Sequence, residues 1–125
     1  MELNERIEKD FQIAIELFAR FENIHLTFSE ESVATLDRFI NEKRDVFDDD
    51  TINRMTATFG SFLGETIRRN YGGSWDDING ELGIRFDEKN AIFPYAKLRK
   101  QFENGAEDSI LSFYQVIPIV FRLSQ

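Results

Sequence analysis

The stretch Phe59-Gly-Ser-Phe-Leu-Gly-Glu-Thr-Ile-Arg-Arg-Asn-Tyr-Gly-Gly-Ser-Trp75 decides how this chain folds. Ile52, Met55, Phe59, Leu63, Ile67 and Tyr71 recur at steps of three and four, with Phe62 on one flank, which predicts a buried helix over about 51–71. Gly60 and Gly64 sit one turn apart on the other flank. Each costs about 1 kcal/mol relative to alanine inside a helix, so the pair predicts that another backbone passes close by. Gly72-Gly73 stops the helix, one of them in the left-handed position after its last turn. Ser74 to Ile78, which contains the only tryptophan, then reads as a strand.

Working downstream, Asn79-Gly80 is a two-residue hairpin turn, and Glu81-Leu-Gly-Ile-Arg-Phe86 alternates as the return strand. Leu82, Ile84 and Phe86 are expected to face helices, and Arg85 the water. A turn at 87–90 leads to a third short strand at 91–93. Pro94 suits the first position of a fourth helix, with Tyr95, Leu98 and Phe102 inward and Lys97, Arg99 and Lys100 outward. Asn104-Gly105 closes it. A last helix starts near 107–109, lined by Ile110, Tyr114, Ile117 and Phe121, and Pro118 is expected to kink or end it.

Working upstream, Leu3, Ile7, Phe11, Ala14, Phe18 and Phe21 mark one face of an amphipathic helix over roughly 3–21. Ile24 to Phe28 is a short strand or an extended connector. Ser29 caps a second helix, with Glu30 and Glu31 in its first turn, Phe28 and Val33 in staple positions, and Val33, Leu36, Ile40 and Phe47 inward. Asp48-Asp-Asp-Thr51 ends that helix and caps the next. It lacks the alternating ligands, glycine and distal glutamate of a calcium loop. The whole predicts a single α+β domain over 1–125: about five helices packed on a small three-stranded antiparallel sheet, with strands near 74–78, 81–87 and 91–93.

Thirteen phenylalanines, three tyrosines and one tryptophan supply a heavy core for one domain of 125 residues. The net charge of −8 speaks against sequence-independent nucleic-acid binding and against docking on an anionic membrane; it permits a basic protein partner, although solubility alone accounts for it. The absence of cysteine removes disulfides, thiol catalysis and thiolate metal sites. No signal peptide is read at the N-terminus, and no apolar run reaches the about 20 residues of a membrane span, so a cytoplasmic protein is expected.

No catalytic constellation, metal site or cofactor motif emerges. His25 stands alone, short of the several histidines of a zinc site or the partners of a triad. Asp76 and Asp77 are strand neighbours and point to opposite faces; either could act only with Glu81 or Glu65 across the hairpin. Gly72-Gly73 follows a helix instead of preceding one, unlike a phosphate loop. Arg68 and Arg69 complement the helix dipole at a C-terminus and also suit an interface. Trp75 is a core plug or a binding anchor. If function lives in this stretch, Glu65, Arg68, Arg69 and Trp75 are its candidates, the three charged residues on the outward side.

From Gly60-x-x-Leu63-Gly64 through Gly72-Gly73-x-Trp75 to the hairpin and Phe93-Pro94, residues 50–115 resemble uncharacterised bacterial domain families. In these a glycine-marked helix ends in a Gly-Trp strand, followed by a small sheet and a proline-started helix. Some of those domains look like immunity or accessory proteins of toxin systems. The resemblance implies an α+β fold and protein–protein work, and it brings no catalytic residues. The leading expectation is a non-enzymatic, cytoplasmic interaction protein, an acidic inhibitor of immunity type. The alternative is a small-molecule-binding domain or an enzyme with a pocket near Trp75, Tyr71 and Tyr95. A homodimer is a third option.

Overall fold

The structure, a computed structural model, describes residues 2–122. Its elements are α1 (Leu3–Leu17), α2 (Glu30–Lys43), α3 (Asp49–Tyr71), strands β1 (Ser74–Ile78), β2 (Glu81–Arg85) and β3 (Ala91–Ile92), then α4 (Pro94–Asn104) and α5 (Ile110–Val120). The three strands form an antiparallel meander in the order β1-β2-β3, with Trp75 opposite Ile84 and Ile84 opposite Ile92. The expected α+β domain is what forms. Its centre is α3, which packs most extensively on α1 and α4, while α2 packs on α5 and the sheet reaches the helices chiefly through β2.

Residues 58–67 of α3 are buried on every side, so this helix is wrapped by the others. Aromatic rings fill the space around it. Phe59 meets Phe18, Phe39 and Phe102, and Phe62 stacks on Phe28 at 5.2 Å between centroids. Such ring pairs add about 0.5–1.5 kcal/mol each beyond their buried area.

The helix starts follow their caps. Ser29 Oγ accepts from the Ser32 N–H, Asp48 Oδ1 from Thr51, and Ser109 Oγ from Ser112. Asp48 therefore caps α3, and its carboxyl is held below the usual range by the Thr51 backbone bond. Pro118 lies in the last turn of α5, which ends at Val120.

Several expectations are corrected. α1 passes into a π-helical turn at Phe18–Glu22, closed by Asn23 at φ 53°. The wider turn rotates later residues off the inward stripe, and Phe21 is 69% exposed. α2 stops at Lys43, so Phe47 belongs to the link before α3 and only half-buries, its ring 6.0 Å from Phe39. Of the two readings of residues 24–28 the connector holds, since they form no strand, and His25 is exposed on it. The sheet strands stop at Arg85 and Ile92, short of 87 and 93. Arg85 does not simply face water, because its Nε donates to Asp76 Oδ2 at 2.9 Å. Gly72 takes φ 90°, ψ −161°, and Gly73 takes φ 89°, a mirror-extended path that turns helix into strand without a left-handed helical cap.

A polar hub that hydrophobic periodicity does not mark ties three helices together. Gln101 of α4 is fully buried; its Nε2 donates to Asp37 Oδ1 of α2 at 3.0 Å, and its Oε1 accepts from the Ile110 N–H of α5 at 2.8 Å. Asp37 Oδ1 also accepts from Ser109 Oγ at 2.7 Å. Replacing Gln101 by Leu preserves bulk and leaves a buried N–H and the carboxylate short of partners. Urea denaturation should show Gln101→Leu destabilised by about 2–4 kcal/mol.

Candidate functional site

Trp75 is where the sheet meets α3. A methyl group built on Gly64 would overlap the far edge of the Trp75 indole, and one on Gly60 would overlap the Tyr95 ring. The two glycines are therefore seats for aromatic side chains. The expected close backbone is absent there, because flat rings fill the glycine grooves instead. The two rings lie 5.9 Å apart, and the Tyr95 hydroxyl shares a hydrogen bond of 2.6 Å with Ser61.

Seating the indole brings its Nε1–H to Glu65 Oε1 at 3.2 Å. Arg68 reaches the same carboxylate through Nε to Oε1 at 2.9 Å and Nη2 to Oε2 at 2.6 Å, and Arg69 through Nε to Oε2 at 2.9 Å. Glu65 thus lies under the two guanidinium groups, with its side chain only 7% exposed. This corrects the outward placement expected for it: its oxygens turn toward Trp75, and Arg68 and Arg69 cover them from the solvent side. Burial by itself pushes the Glu65 carboxyl up, but the hydrogen bonds from Arg68, Arg69 and Trp75 outweigh it and bring the pKa to about 2. The Arg69 guanidinium also lies 3.9 Å above the Phe28 ring, linking the cluster to the segment before α2.

The four candidates from the sequence therefore form one cluster. Beside it lies an open cleft of about 550 Å³. Its far wall is α1, which contributes Glu5 and Glu8 as well as Ile7 and Phe11; Glu65, Arg68, Arg69 and Trp75 line the near wall. Tyr71 and Tyr95 do not line it. Tyr71 instead packs on Tyr114, with 5.1 Å between ring centroids. Glu5 and Glu8 are exposed, and among the described residues neither is in an ion pair. Their spacing of three puts them on one helix face, but in the sequence they read only as the solvated side of α1. Nothing local tells that a cleft lies against them.

The other sequence candidates serve turns and strands. Asp76 pairs with Arg85, and Asp77 Oδ1 accepts from the Gly80 N–H at 2.8 Å within the hairpin turn. Neither joins Glu65 or Glu81. On the outer side of α4, Lys97 pairs with Asp108 and Arg99 donates to Asn53. Among the described residues no group of three or more His, Cys, Asp or Glu is placed to hold a metal ion, and no helix is long and apolar enough to cross a membrane. No protein-family model matches the chain, and neither does a curated protein or a solved structure.

Two outcomes test the cluster. Glu65→Gln should lower stability by on the order of 3 kcal/mol near neutral pH, from a shift of the carboxyl between its ordinary 4.5 and about 2 at roughly 1.4 kcal/mol per unit. A depressed pKa stabilises the fold above the unfolded value and is lost as pH falls through the folded one. The gap between wild type and variant should therefore close as pH falls from about 4.5 toward 2, read by urea midpoints across that range. Gly64→Ala gains helix propensity of about 1 kcal/mol but pushes the pinned indole away, and a net loss of about 1–2 kcal/mol is expected, with a shift in tryptophan fluorescence.

Proposed function

We propose that this chain is a non-enzymatic, cytoplasmic protein-interaction module that docks a basic partner on the α1 wall of the Trp75 cleft. The observation that carries this reading is the pair Glu5 and Glu8: exposed carboxylates without ion-pair partners, lining a cleft in a chain of net charge −8. A lysine or arginine side chain entering there would meet two unpaired acids on one side. The cleft residues hold three carboxylates against two guanidinium groups, and Glu65 is already engaged by both of the latter. Complementary charge speeds encounter and selects partners. Glu65 has its oxygens occupied by three donor side chains and stays ionised well below neutral pH, which suits scaffolding better than proton transfer. The resemblance of residues 50–115 to uncharacterised bacterial domains, some of which look like immunity or accessory proteins of toxin systems, is in keeping with an acidic inhibitor of a basic protein.

A second reading has its own support. The cleft volume falls within the roughly 300–1,000 Å³ of small-molecule sites, and an aromatic ring lies among its polar groups. A melting temperature raised reproducibly by a metabolite would favour it.

Affinity capture from native lysate tests the first reading. Wild type should retain a stoichiometric basic protein. The Glu5→Lys, Glu8→Lys double variant should retain it at least about tenfold less well, and added salt should weaken the wild-type complex. Recovery of no stoichiometric partner, or equal recovery by both proteins, would count against it.

A further inference from the structure

β1 is an edge of the sheet and pairs with β2 on one side only. Asn79 and Gly80 both take positive φ, 55° and 87°, as a two-residue hairpin turn requires, so Ile78 and Glu81 close the ladder as a hydrogen-bonded pair. The pattern then alternates. Ser74, Asp76 and Ile78 turn their backbone groups to β2, and Trp75 and Asp77 turn theirs outward. Among the described residues no other backbone group bonds to the N–H or C=O of Trp75 or Asp77. Open edges are ordinarily blunted by shortness, proline, lysine or a bulge. β3, the opposite edge, is two residues long and leads into Pro94. β1 is five residues long, has neither proline nor lysine, and keeps an unbroken register from Ser74 opposite Arg85 to Ile78 opposite Glu81. It is also held in place, with the Trp75 indole seated on Gly64 and bonded to Glu65. Gly73, Ser74 and Trp75 line the same cleft as Glu5 and Glu8.

We infer, building on the basic-partner reading above, that the partner's docking segment is an extended strand that adds antiparallel to β1, with lysine or arginine at alternate positions. Free main-chain groups on an edge supply the affinity of such an addition, and alternate side chains supply its specificity. Charge sets the occupant. The residues directly opposite Trp75 and Asp77 in an added strand bond to their outward groups and point their side chains to the same face of the sheet. On that face Asp77 is exposed and, among the described residues, in no ion pair. Glu5 and Glu8 stand across the cleft that Trp75 lines. Cations spaced two apart therefore meet acid on both sides, and opposite charges across a strand pair are favourable. A second copy of β1 fits badly. The register that pairs all five residues about a two-fold axis sets Asp76 against its own counterpart, and each chain carries −8.

Titration with peptides of alternating lysine and threonine, followed by amide hydrogen exchange, tests this. Three forms are compared: unmodified, N-methylated at the lysines, and N-methylated at the threonines. In an antiparallel addition the lysine N–H groups face β1 and the threonine N–H groups face solvent, while the charge of all three forms is the same. The unmodified peptide should bind and slow exchange at the Trp75 and Asp77 amides, leaving Asp76, already in the ladder, unchanged. Methylation at the lysines should raise Kd at least about tenfold, and methylation at the threonines about twofold or less. The Glu5→Lys, Glu8→Lys double variant should raise Kd for the unmodified peptide about tenfold. Methylated forms that bind alike overturn strand addition; if the double variant still loses the peptide, docking of a basic partner on the acidic wall survives that result. Absence of binding, exchange slowed elsewhere than at Trp75 and Asp77, or equal binding of a glutamate–threonine peptide also overturns it. So does a second copy on this edge, seen as a concentration-dependent dimer with slow Trp75 and Asp77 amides and no peptide present.

Discussion

The contact between the Trp75 indole and Gly64 pins β1 to α3, beside the packing of β2 on α3 and α4. α3 is surrounded by helices, and a small meander needs a firm attachment to belong to the same core. A three-stranded sheet with short strands is marginal by itself and has to be packed against something. The absent side chain at Gly64 lets the indole lie on the helix surface. Its N–H then needs a partner, and Glu65, the next residue, supplies the acceptor. A buried carboxylate in turn needs cations, and Arg68 and Arg69, one turn further on, supply them. Each requirement is met by the residue next in reach along the same helix. Gly72 and Gly73 give the chain the reversed path that brings Trp75 back over that face.

A second constraint runs through the polar interior. Gln101 and Asp37 are polar groups that could have been leucines, and they hold α2, α4 and the start of α5 in fixed register. Apolar packing alone tolerates sliding of one helix past another, whereas a buried amide satisfied on both sides accepts only one arrangement. Tyr95 plays a related part. Its ring fills the Gly60 seat and its hydroxyl finds Ser61, fixing the start of α4 against α3.

The charge pattern divides the surface. Among the described residues the ion pairs engage Asp50, Glu65, Asp76 and Asp108, so most carboxylates face solvent without a cation. Two of these, Glu5 and Glu8, line a cleft, while the apolar side of α5 is nearly free of them.

The order of elements, the cap at Ser29, the capping run at Asp48-Asp-Asp-Thr51, the Asn79-Gly80 turn and the inward stripe of α3 were legible in the sequence, and that of α1 except at Leu3 and Phe21. Each rests on local chemistry: a side-chain oxygen reaching an N–H three residues on, a period of 3.6 or 2, a glycine where φ is positive. The candidates Glu65, Arg68, Arg69 and Trp75 were legible as one neighbourhood for the same reason. Their orientation was not. Whether Glu65 turns inward depends on an indole ten residues away, and Glu5 and Glu8 become part of a site only because α1 lies antiparallel along α3. The π turn that sends Phe21 outward, the burial of Gln101 and the exposed side of α5 belong to this second kind as well. Local chemistry along the chain set which elements form. Tertiary structure decided which side chains meet, because burial and distance between remote residues have no counterpart in sequence spacing.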